Sequence, residues 1–277
     1  MTPGTTTGVM DERVRADLAC LVDSPYRGPL LLELRNGTTS RAELREAVGA
    51  SRATISRALS AFEERGWVIR TGQAYELTRL GRLVAGEFEN LLATMETAHD
   101  LRGIVEYLPV DEFGFDIRHL RDATVVRPSR SDPLAPIRHA DRLLEDATLA
   151  VLLSRAFSPG VIEALAERAR AGEETEVVVT TSVVESLGAD DTLREQVRSC
   201  LESDAVEIYE HDGEVPYILA IADAVVSFGV QDDDGRVVGV VDVEDEVVLA
   251  WARATFGEHR ENTQRLDPDR FSREGRR

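Results

Sequence analysis

Residues 51–70 decide how the first part of this chain folds, and they read SRATISRALSAFEERGWVIR. Ser51 is suited to be a helix N-cap, and Gly66 is suited to end the helix before an apolar strand. The apolar residues recur at i, i+3, i+4 and i+7, and they are Ile55, Ala58, Leu59 and Phe62. This spacing predicts an amphipathic helix with one buried face.

The opposite face of this helix has the side chains that a DNA-reading helix needs. At about 100° per residue, it carries Ala53, Arg57, Ser60 and Glu64, with Thr54 and Ser56 on its flanks. Small residues allow close approach, hydroxyls meet phosphates or base edges, and arginine can fork onto guanine. The expected DNA contacts of this helix are therefore Ser51, Arg52, Ala53, Thr54, Ser56, Arg57 and Ser60.

The neighbouring segments complete a known arrangement. Upstream, Ser40–Val48 predicts a short helix with a capping box from Ser40 to Glu43, and Gly49-Ala50 supplies a tight turn. Downstream, two short strands flank Thr71-Gly72-Gln73, a hairpin turn. Helix, turn, helix and two-stranded wing resemble the winged helix-turn-helix of archaeal and bacterial transcription regulators. An ordinary small helical domain is the alternative, but it leaves the wing unexplained.

Roles within this motif follow from position. Arg57 lies near the centre of the outward face, so we expect it to contact a base, whereas Arg52, Ser51 and Thr54 are expected to contact phosphates. The wing residues Arg70, Thr71 and Gln73 are expected to lie along the DNA backbone or in a minor groove. The alternative for Arg57 is a surface ion pair, but its neighbours three and four residues away include no acid.

The charge distribution favours the same region. The 277 residues contain 51 acids and 32 basic residues, all of them arginine, for a net charge of −19. An acidic chain without lysine resembles the proteins of extreme halophiles. Residues 27–82 are the exception, because 10 arginines face 6 acids there, a local charge of +4. This basic island coincides with the helix-turn-helix and wing, as expected of a DNA contact.

Composition also limits the cellular setting. The sequence has no apolar run of about 18 residues and no signal peptide, so we expect a soluble, cytoplasmic protein that does not enter a membrane. Cys20 and Cys200 are far apart and lack metal-like spacing, so neither a disulfide framework nor a zinc site is indicated. Two buried structural cysteines and a redox-sensing thiol both remain open.

The chain is expected to divide into five segments. These are a disordered N-terminus (1–8), the winged helix-turn-helix (9–78), a connecting helix (79–108), a sensing domain (109–261) and a flexible tail (262–277). Thirty residues of helix extend about 45 Å, too long for one small domain to cover, so the connecting helix is a candidate for dimerisation. Glycines 81, 86 and 103 are expected to bend it.

The second half alternates strand and helix patterns and then forms successive hairpins. Beyond Pro109, a β-branched run at 123–127 and strands at 149–153 and 176–181 alternate with helical segments, and four strand-like segments between 206 and 241 follow. This order predicts a mixed sheet flanked by helices. The fold class is therefore α+β, with an N-terminal winged helix-turn-helix, a long connecting helix and a C-terminal α/β domain.

Three motifs in the second half resemble one family of regulators. They are Ile117-Arg118-His119-Leu120 with Ala123–Pro128, then Tyr209–Tyr217, and finally Glu246 with Ala250-Trp251-Ala252. With the amino-terminal module, they resemble haloarchaeal winged helix-turn-helix regulators with a methanogenesis-regulator-type, TrmB-like effector domain. The resemblance implies an architecture related to the phospholipase-D fold and a role in sensing an effector.

The residues argue against catalysis. Phospholipase-D chemistry needs a His-x-Lys motif, and this chain has no lysine. Nucleotide-binding, serine hydrolase and zinc protease motifs are also absent. The five histidines are far apart in sequence, and Asp232-Asp233-Asp234-Gly235 lacks the spaced acids of a calcium loop. We expect no catalytic residue, no cofactor and no metal site.

An effector pocket is expected beyond the strand that ends near Arg127, since ligands of α/β sheets gather beyond strand carboxyl ends. The candidate residues are Arg127, Ser129, Arg130, His211 and Tyr217. Two arginines and a hydroxyl suit a small polar or anionic metabolite. The alternative is that these arginines pair with the surplus acids of their own domain.

Together these patterns favour a homodimeric transcription regulator that binds double-stranded DNA and is modulated through its second domain. The first alternative is a DNA-binding or architectural protein whose second domain serves only dimerisation or protein partners. A hydrolase or nuclease that uses carboxylates is a weaker alternative.

Overall fold

The computed structural model describes residues 10–261 and 263–272, and the chain divides between Ala93 and Thr94 into two compact units. The first unit has one hydrophobic core, and the second has a core on each face of its sheet. The division falls within a helix, and not at either end of the predicted connecting segment 79–108.

The first unit consists of four short helices, a three-stranded sheet and the start of a longer helix. The helices are α1 (Glu12–Val22), α2 (Arg27–Glu33), α3 (Arg41–Val48) and α4 (Arg52–Glu64). The strands are β1 (Thr39–Ser40), β2 (Val68–Thr71) and β3 (Ala74–Leu77), in the order β1-β3-β2. β2 and β3 form the predicted wing, and β1, which is too short to leave a pattern in the sequence, adds a third strand.

The helix boundaries arise from local chemistry that the sequence makes visible. Ser40 and Glu43 form the reciprocal capping box at the start of α3. Gly49 ends this helix with a φ of +68°, in the left-handed region that glycine enters without strain. Ser51 then caps α4 by accepting a hydrogen bond from the Thr54 N–H. Gly66, also at a φ of +68°, turns the chain from α4 into the wing.

A close approach of two backbones joins the wing to the next helix, α5 (Arg79–Asp100). The Thr78 hydroxyl donates to the Gly66 carbonyl at 2.7 Å and accepts the Gly81 N–H at 2.9 Å. A Cβ atom on Gly81 would lie 1.9 Å from the Trp67 carbonyl oxygen. Gly81 is therefore a position at which the two backbones contact each other and a side chain has no room.

α5 is shorter than the predicted 79–108 helix. It ends at Asp100, and the next residues form short 3-10 turns in which Gly103 has a φ of +78°. Leu101, Ile104 and Leu108 are buried in a core of the second unit. The spacing of these apolar residues is typical of a continued helix, but in the structure they are buried from an irregular segment.

The second unit is the predicted mixed sheet flanked by helices. Its helices are α6 (Ala135–Asp146), α7 (Pro159–Ala171), α8 (Thr181–Ala189), α9 (Asp191–Leu201) and α10 (Glu246–Glu261). Its strands are β4 (Thr124–Val126), β5 (Ala150–Ser154), β6 (Thr175–Thr180), β7 (Val206–His211), β8 (Ile218–Ala222), β9 (Val225–Gln231), β10 (Val237–Val243) and β11 (Thr263–Arg265). The strand order is β11-β7-β6-β5-β8-β9-β10-β4. Only the β5–β6 and β6–β7 pairs are parallel, and they are the pairs connected through helices.

Each face of the sheet has its own cover. α6, α7, α8 and α9 contribute to the core on one face, while α10 and the segment 101–120 contribute to the other. Arg168 of α7 is only 1% exposed, and its guanidinium donates to the carbonyls of Leu144, Glu174 and Thr148 and to the Thr175 hydroxyl. This buried arginine therefore ties the loops before β5 and β6 together, because its donors satisfy backbone groups that water cannot reach.

The predicted flexible tail 262–277 is wrong for residues 263–272. β11 pairs with β7, and Leu266 and Phe271 are buried in the core. The tail is mostly polar, so its two buried apolar residues and its strand are not evident from composition. The strand pairs with residues about 50 positions earlier in the chain. The predicted disorder of residues 1–8 and the last five residues of the tail lie outside the described residues. Within the described part of the chain, no helix is both long and apolar enough to cross a membrane.

We predict opposite effects for two glycine substitutions in α5. Gly81→Ala should lower the free energy of unfolding by about 1–3 kcal/mol, because its new methyl group meets a backbone oxygen that cannot rotate away. Gly86→Ala is the matched control, because a Cβ there meets nothing within 4 Å. It should stabilise the helix by about 0.5–1 kcal/mol. Urea unfolding followed by circular dichroism measures both, and an equal effect of the two changes would contradict this account.

We predict that Cys200 is inert in the folded protein. Burial raises the pKa of its thiol to about 11, so at pH 8 only about one thiol in a thousand is ionised. Cys20 is buried as well. In a Cys20→Ser variant, an aromatic disulfide reagent at pH 8 should react with Cys200 only after denaturant is added. Rapid stoichiometric reaction of the native variant would instead indicate an accessible, redox-active thiol.

Candidate nucleic-acid interface

The outward face of α4 exposes the residues that the helical pattern places there. Arg52, Ala53, Arg57 and Ser60 are exposed, while Ile55, Ala58, Leu59 and Phe62 form the buried face. A shallow cleft of about 370 Å³ is lined by Ser56, Arg57, Ser60, Ala61 and Glu64. Among the described residues, Arg57 has no hydrogen-bond or ion-pair partner. Its guanidinium is therefore available to an external acceptor.

The start of α4 uses two of the predicted contacts for its own cap. The Ser51 hydroxyl accepts the Thr54 N–H at 3.2 Å and lies 2.9 Å from the Thr54 hydroxyl. Both residues therefore stabilise the helix N-terminus in addition to any role toward a ligand. The N-terminal end of α4 also has free backbone N–H groups and a partial positive charge, which favour an anion in front of it.

A second cleft, of about 350 Å³, lies where α3, α4 and the wing meet. Four arginines line it, Arg41, Arg45, Arg52 and Arg70, together with Ala42, Gln73 and Tyr75. Arg52, Arg70 and Gln73 are the predicted contacts that this cleft brings together. Arg41 and Arg45 were not predicted, although they lie four residues apart on one face of α3, a spacing that the sequence contains.

Arg41 is positioned by an aromatic residue of the wing. Its guanidinium lies 5.5 Å from the centre of the Tyr75 ring and donates to the Tyr75 hydroxyl. Tyr75 is buried in β3, so it holds the arginine from a fixed base. The Arg41 Nε atom is buried and has no partner among the described residues. The wing therefore fixes one arginine of the cleft, and the other three are exposed at its rim.

The wing residues differ in how free they are. Arg70 donates through Nε to the Gly72 carbonyl at 2.9 Å, which uses one of its five donors. Thr71 donates to Glu76 at 3.0 Å, and Thr38 donates to the other oxygen of the same carboxylate at 3.3 Å. The Thr71 hydroxyl is thus committed within the wing, whereas Arg70 and Gln73 face the cleft.

The five predicted effector residues do not form one pocket. Arg127 follows β4 at one edge of the sheet, and five strands separate β4 from β7, where His211 lies. Arg127 donates to the backbone carbonyl of Asp100 at 2.6 Å. Ser129 caps a loop by accepting the Asp132 N–H at 3.0 Å, and Arg130 is exposed in the same loop. The pattern placed these residues after a strand but contained no information on strand order.

His211 and Tyr217 do lie together, toward the opposite edge of the sheet. Their rings surround His259 of α10, at 5.4 Å and 6.4 Å between ring centres. Tyr217 is 6% exposed, and burial raises the pKa of its hydroxyl to about 12. Tyr217 therefore belongs to the core against α10, and this pair lacks the arginines that an anion needs.

Two of the other histidines, His119 and His139, line a polar basin of about 580 Å³ at the opposite sheet edge. His119 lies 3.0 Å from Asp245, and His139 pairs with Asp242. Four acids and two arginines share the basin, so its balance is not basic. Across the described residues, no group of three or more His, Cys, Asp or Glu side chains is arranged to hold a metal ion. Asp232 accepts the N–H groups of Asp234 and Arg236, which makes its loop an ordinary turn.

Two family matches cover most of the chain. Residues 15–100 match the HVO_A0261 N-terminal domain, and residues 133–262 match the middle domain of the methanogenesis regulatory protein FilR1. The resemblance of the second domain to methanogenesis regulators is thereby confirmed. A comparison with curated protein sequences gave no match to this chain.

Solved structures give weaker similarities. TrmBL2, an archaeal chromatin protein with a novel mode of DNA binding, is 16% identical, with 92% of this chain and 100% of that chain covered and a TM-score of 0.40. Phosphatidylserine synthase of Haemophilus influenzae is 14% identical over 52% of this chain and 39% of its own, with a TM-score of 0.38. The O-methyltransferase NcsB1 of neocarzinostatin biosynthesis is 18% identical over 72% of this chain and 84% of its own, with a TM-score of 0.24. Such low similarities by themselves indicate no function.

Proposed function

We propose that this chain, which joins a domain of the HVO_A0261 N-terminal family to a domain of the FilR1 middle-domain family, is a DNA-binding transcription regulator. In this proposal α4 reads the major groove, and the arginines at the junction of α3, α4 and the wing hold the phosphates beside it. The second unit carries regulation and no catalysis.

The observation that carries the proposal is the cleft at the junction of α3, α4 and the wing, which is lined by four arginines and, among the described residues, by no acid. Arg45, Arg52 and Arg57 make no ion pair with any described residue, although the chain has 51 acids and a net charge of −19. Leaving arginines unpaired in such a chain keeps their donors available for phosphates and guanine. The family to which the second domain belongs is named for a regulatory protein, which agrees with this role.

The proposal includes a homodimer formed through α5. Leu80, Leu83, Leu91 and Met95 are large apolar residues between 39% and 63% exposed. At about 100° per residue, they form one stripe that follows the helix for about 22 Å. Exposed apolar stripes mark protein contacts, and a second copy is the partner that a two-fold DNA site requires.

Regulation in this proposal acts through the same helix. α5 begins in the first unit, directly after the wing, and ends in the second unit at Asp100. A ligand that favours one arrangement of the second unit would therefore change how two copies of the winged unit are spaced. The alternative in which the second unit only dimerises predicts that no small molecule alters DNA affinity.

We predict different losses for two arginine variants. Arg57→Ala should cost about 1–3 kcal/mol of binding to specific DNA and relax preference at one base pair, because a forked contact to guanine is lost. Arg70→Ala should weaken binding to all sequences and lower the salt slope by about one, because a phosphate contact is lost. Titrations of both variants against operator DNA, obtained by selection from random sequences, and against scrambled DNA measure the two effects.

Arg15→Ala is the matched control, because Arg15 is an exposed arginine on α1 that pairs with Glu12. It removes the same charge from the first unit and should leave specific binding nearly unchanged. Equal losses of Arg57→Ala on operator and scrambled DNA would make Arg57 a backbone contact. If none of the variants changed DNA affinity, the proposed interface would be wrong.

We predict that charges on the α5 stripe prevent dimerisation. Leu91→Glu with Met95→Glu should give monomers and strongly reduce DNA affinity, because burying two unpaired carboxylates in an apolar contact is unfavourable. Val14→Glu with Val22→Glu is the control, since both valines are exposed on α1, at 51% and 62%. Sedimentation velocity at equal salt distinguishes the species. A wild-type protein that sediments as a monomer at micromolar concentration would contradict the dimer.

A further inference from the structure

One face of the large sheet is incompletely filled. On the side covered by α6 and α7, the core contains large residues from β5, β6 and β7. Farther along the same face, β8 contributes Ala220 and β9 contributes Ser227 and Gly229. These small side chains lie beneath α6, and they leave space between this helix and the sheet.

The packing of β8 against β9 requires small residues at the bottom of this space. Gly229 lies opposite Ile218 across the β8–β9 pair, and a Cβ on Gly229 would lie 2.9 Å from the Ile218 Cβ. That contact is closer than two carbon atoms can approach, so a larger residue at 229 would separate the strands. Ser227 is only 4% exposed and faces the same space. The gap is therefore a property of the strands themselves.

The result is a cavity of about 330 Å³ between α6, the start of α7 and the floor of β5, β8, β9 and β10. Its walls are mainly apolar, with Ile137, Leu144, Phe157 and Val240 among them. This volume and composition are those of small-molecule sites, which combine apolar walls with a few polar groups.

The polar groups of the cavity determine which ligands it suits. Ser154 and Ser227 are on the floor, and Asp141 of α6 is on the wall. The Asp141 carboxylate lies 3.5 Å from the Ser158 hydroxyl and directly against Gly160, where a Cβ would be 2.2 Å from its oxygen. Burial raises the pKa of Asp141, and the nearby Glu145 and Glu163 raise it further. The cavity therefore accepts hydrogen bonds and repels anions.

We propose that this cavity binds a small, largely apolar molecule whose neutral or cationic donor group meets Asp141, and that it excludes anionic ligands. This replaces the anionic or polar metabolite expected at Arg127 with a ligand of different chemistry at a different place. One part of this inference rests on the proposed function, namely that such a ligand would alter DNA binding. Occupation of the cavity is tested without DNA.

The test compares two fluorescent probes with one skeleton. N-phenyl-1-naphthylamine is neutral and has one N–H donor, and 8-anilinonaphthalene-1-sulfonate is the same molecule with an anionic sulfonate. In equilibrium titrations of the full chain at one salt concentration, the neutral probe should bind at least about tenfold more tightly than the anionic one. Asp141→Asn should narrow this difference, because it removes the carboxylate that repels the sulfonate.

Two variants fill the cavity from neighbouring strands, Ala220→Leu on β8 and Ser227→Leu on β9. Each should weaken binding of the neutral probe at least about tenfold, because the leucine occupies the space of the ligand. Ala254→Leu is the control, since residue 254 is exposed on α10, at the other face of the sheet. It adds the same side chain outside the cavity and should leave probe binding unchanged. Circular dichroism identifies a variant that does not fold, and the other one then decides the test.

Two outcomes would overturn the assignment. One is that the neutral probe does not bind the wild-type chain. The other is that it binds a folded filling variant as tightly as wild type, because the probe would then occupy another surface, such as the α5 stripe. DNA affinity measured on the same variants separates the two proposals. If a filling variant loses probe binding but keeps DNA binding, both the cavity and the DNA interface are supported. Loss of DNA binding in the Arg57→Ala and Arg70→Ala variants tests the DNA interface alone, because these variants do not change the cavity.

Discussion

The close approach of Gly81 to the Trp67 carbonyl is the constraint on which the fold of the first unit depends. Trp67 follows the glycine that ends α4 and begins the wing, and its carbonyl accepts the Thr78 N–H at 2.9 Å. Thr78 in turn caps α5 through the Gly81 N–H. The end of α4, the base of the wing and the start of α5 therefore meet at one point without flexible side chains between them. Because Gly81 has no side chain that could rotate, this contact fixes the start of α5 against the base of the wing.

The arginines of this chain differ in whether another described residue binds their guanidinium. In the second unit, Arg168 is buried among carbonyls, and Arg138, Arg260 and Arg270 pair with acids. The exposed pairs contribute little to stability, but Arg168 satisfies several buried carbonyls, so removing it would leave them without donors. On α3 and α4, Arg45, Arg52 and Arg57 have no such partners among the described residues. Net charge alone would predict an acidic surface everywhere, and only the local balance of residues 27–82 indicates the exception.

Features encoded by neighbouring residues could be predicted from the sequence, and features that depend on distant pairing could not. The capping box at Ser40, the N-cap at Ser51 and the turn at Gly66 require only local patterns, so the helix-turn-helix and wing are where the sequence places them. The end of α5, the pairing of β11 and the position of β4 depend on the order of strands in the sheet, which no local pattern records. For the same reason the structure separates the predicted effector residues between opposite edges of the sheet. The cavity was not predicted because the small residues of its floor, Ala220, Ser227 and Gly229, belong to no motif.

A ligand beneath α6 would affect α5 only if the contacts that connect the two helices differ between two arrangements. These contacts run through β10, β4 and Arg127. α6 packs on β10 and β4. On β10, Gly239 lets Ile104 approach, since a Cβ at 239 would lie 2.7 Å from the Ile104 side chain and 2.9 Å from the Val126 carbonyl. Directly after β4, Arg127 holds the carbonyl of Asp100, the last residue of α5. Because β10 is part of the cavity floor, β4 and Arg127 connect the floor to the end of α5. A ligand shifts the equilibrium between two arrangements of the second unit only by the difference in its affinity for them. For a ligand of the cavity to act on α5, the position of α6 on β10 must therefore differ between the filled and the empty cavity.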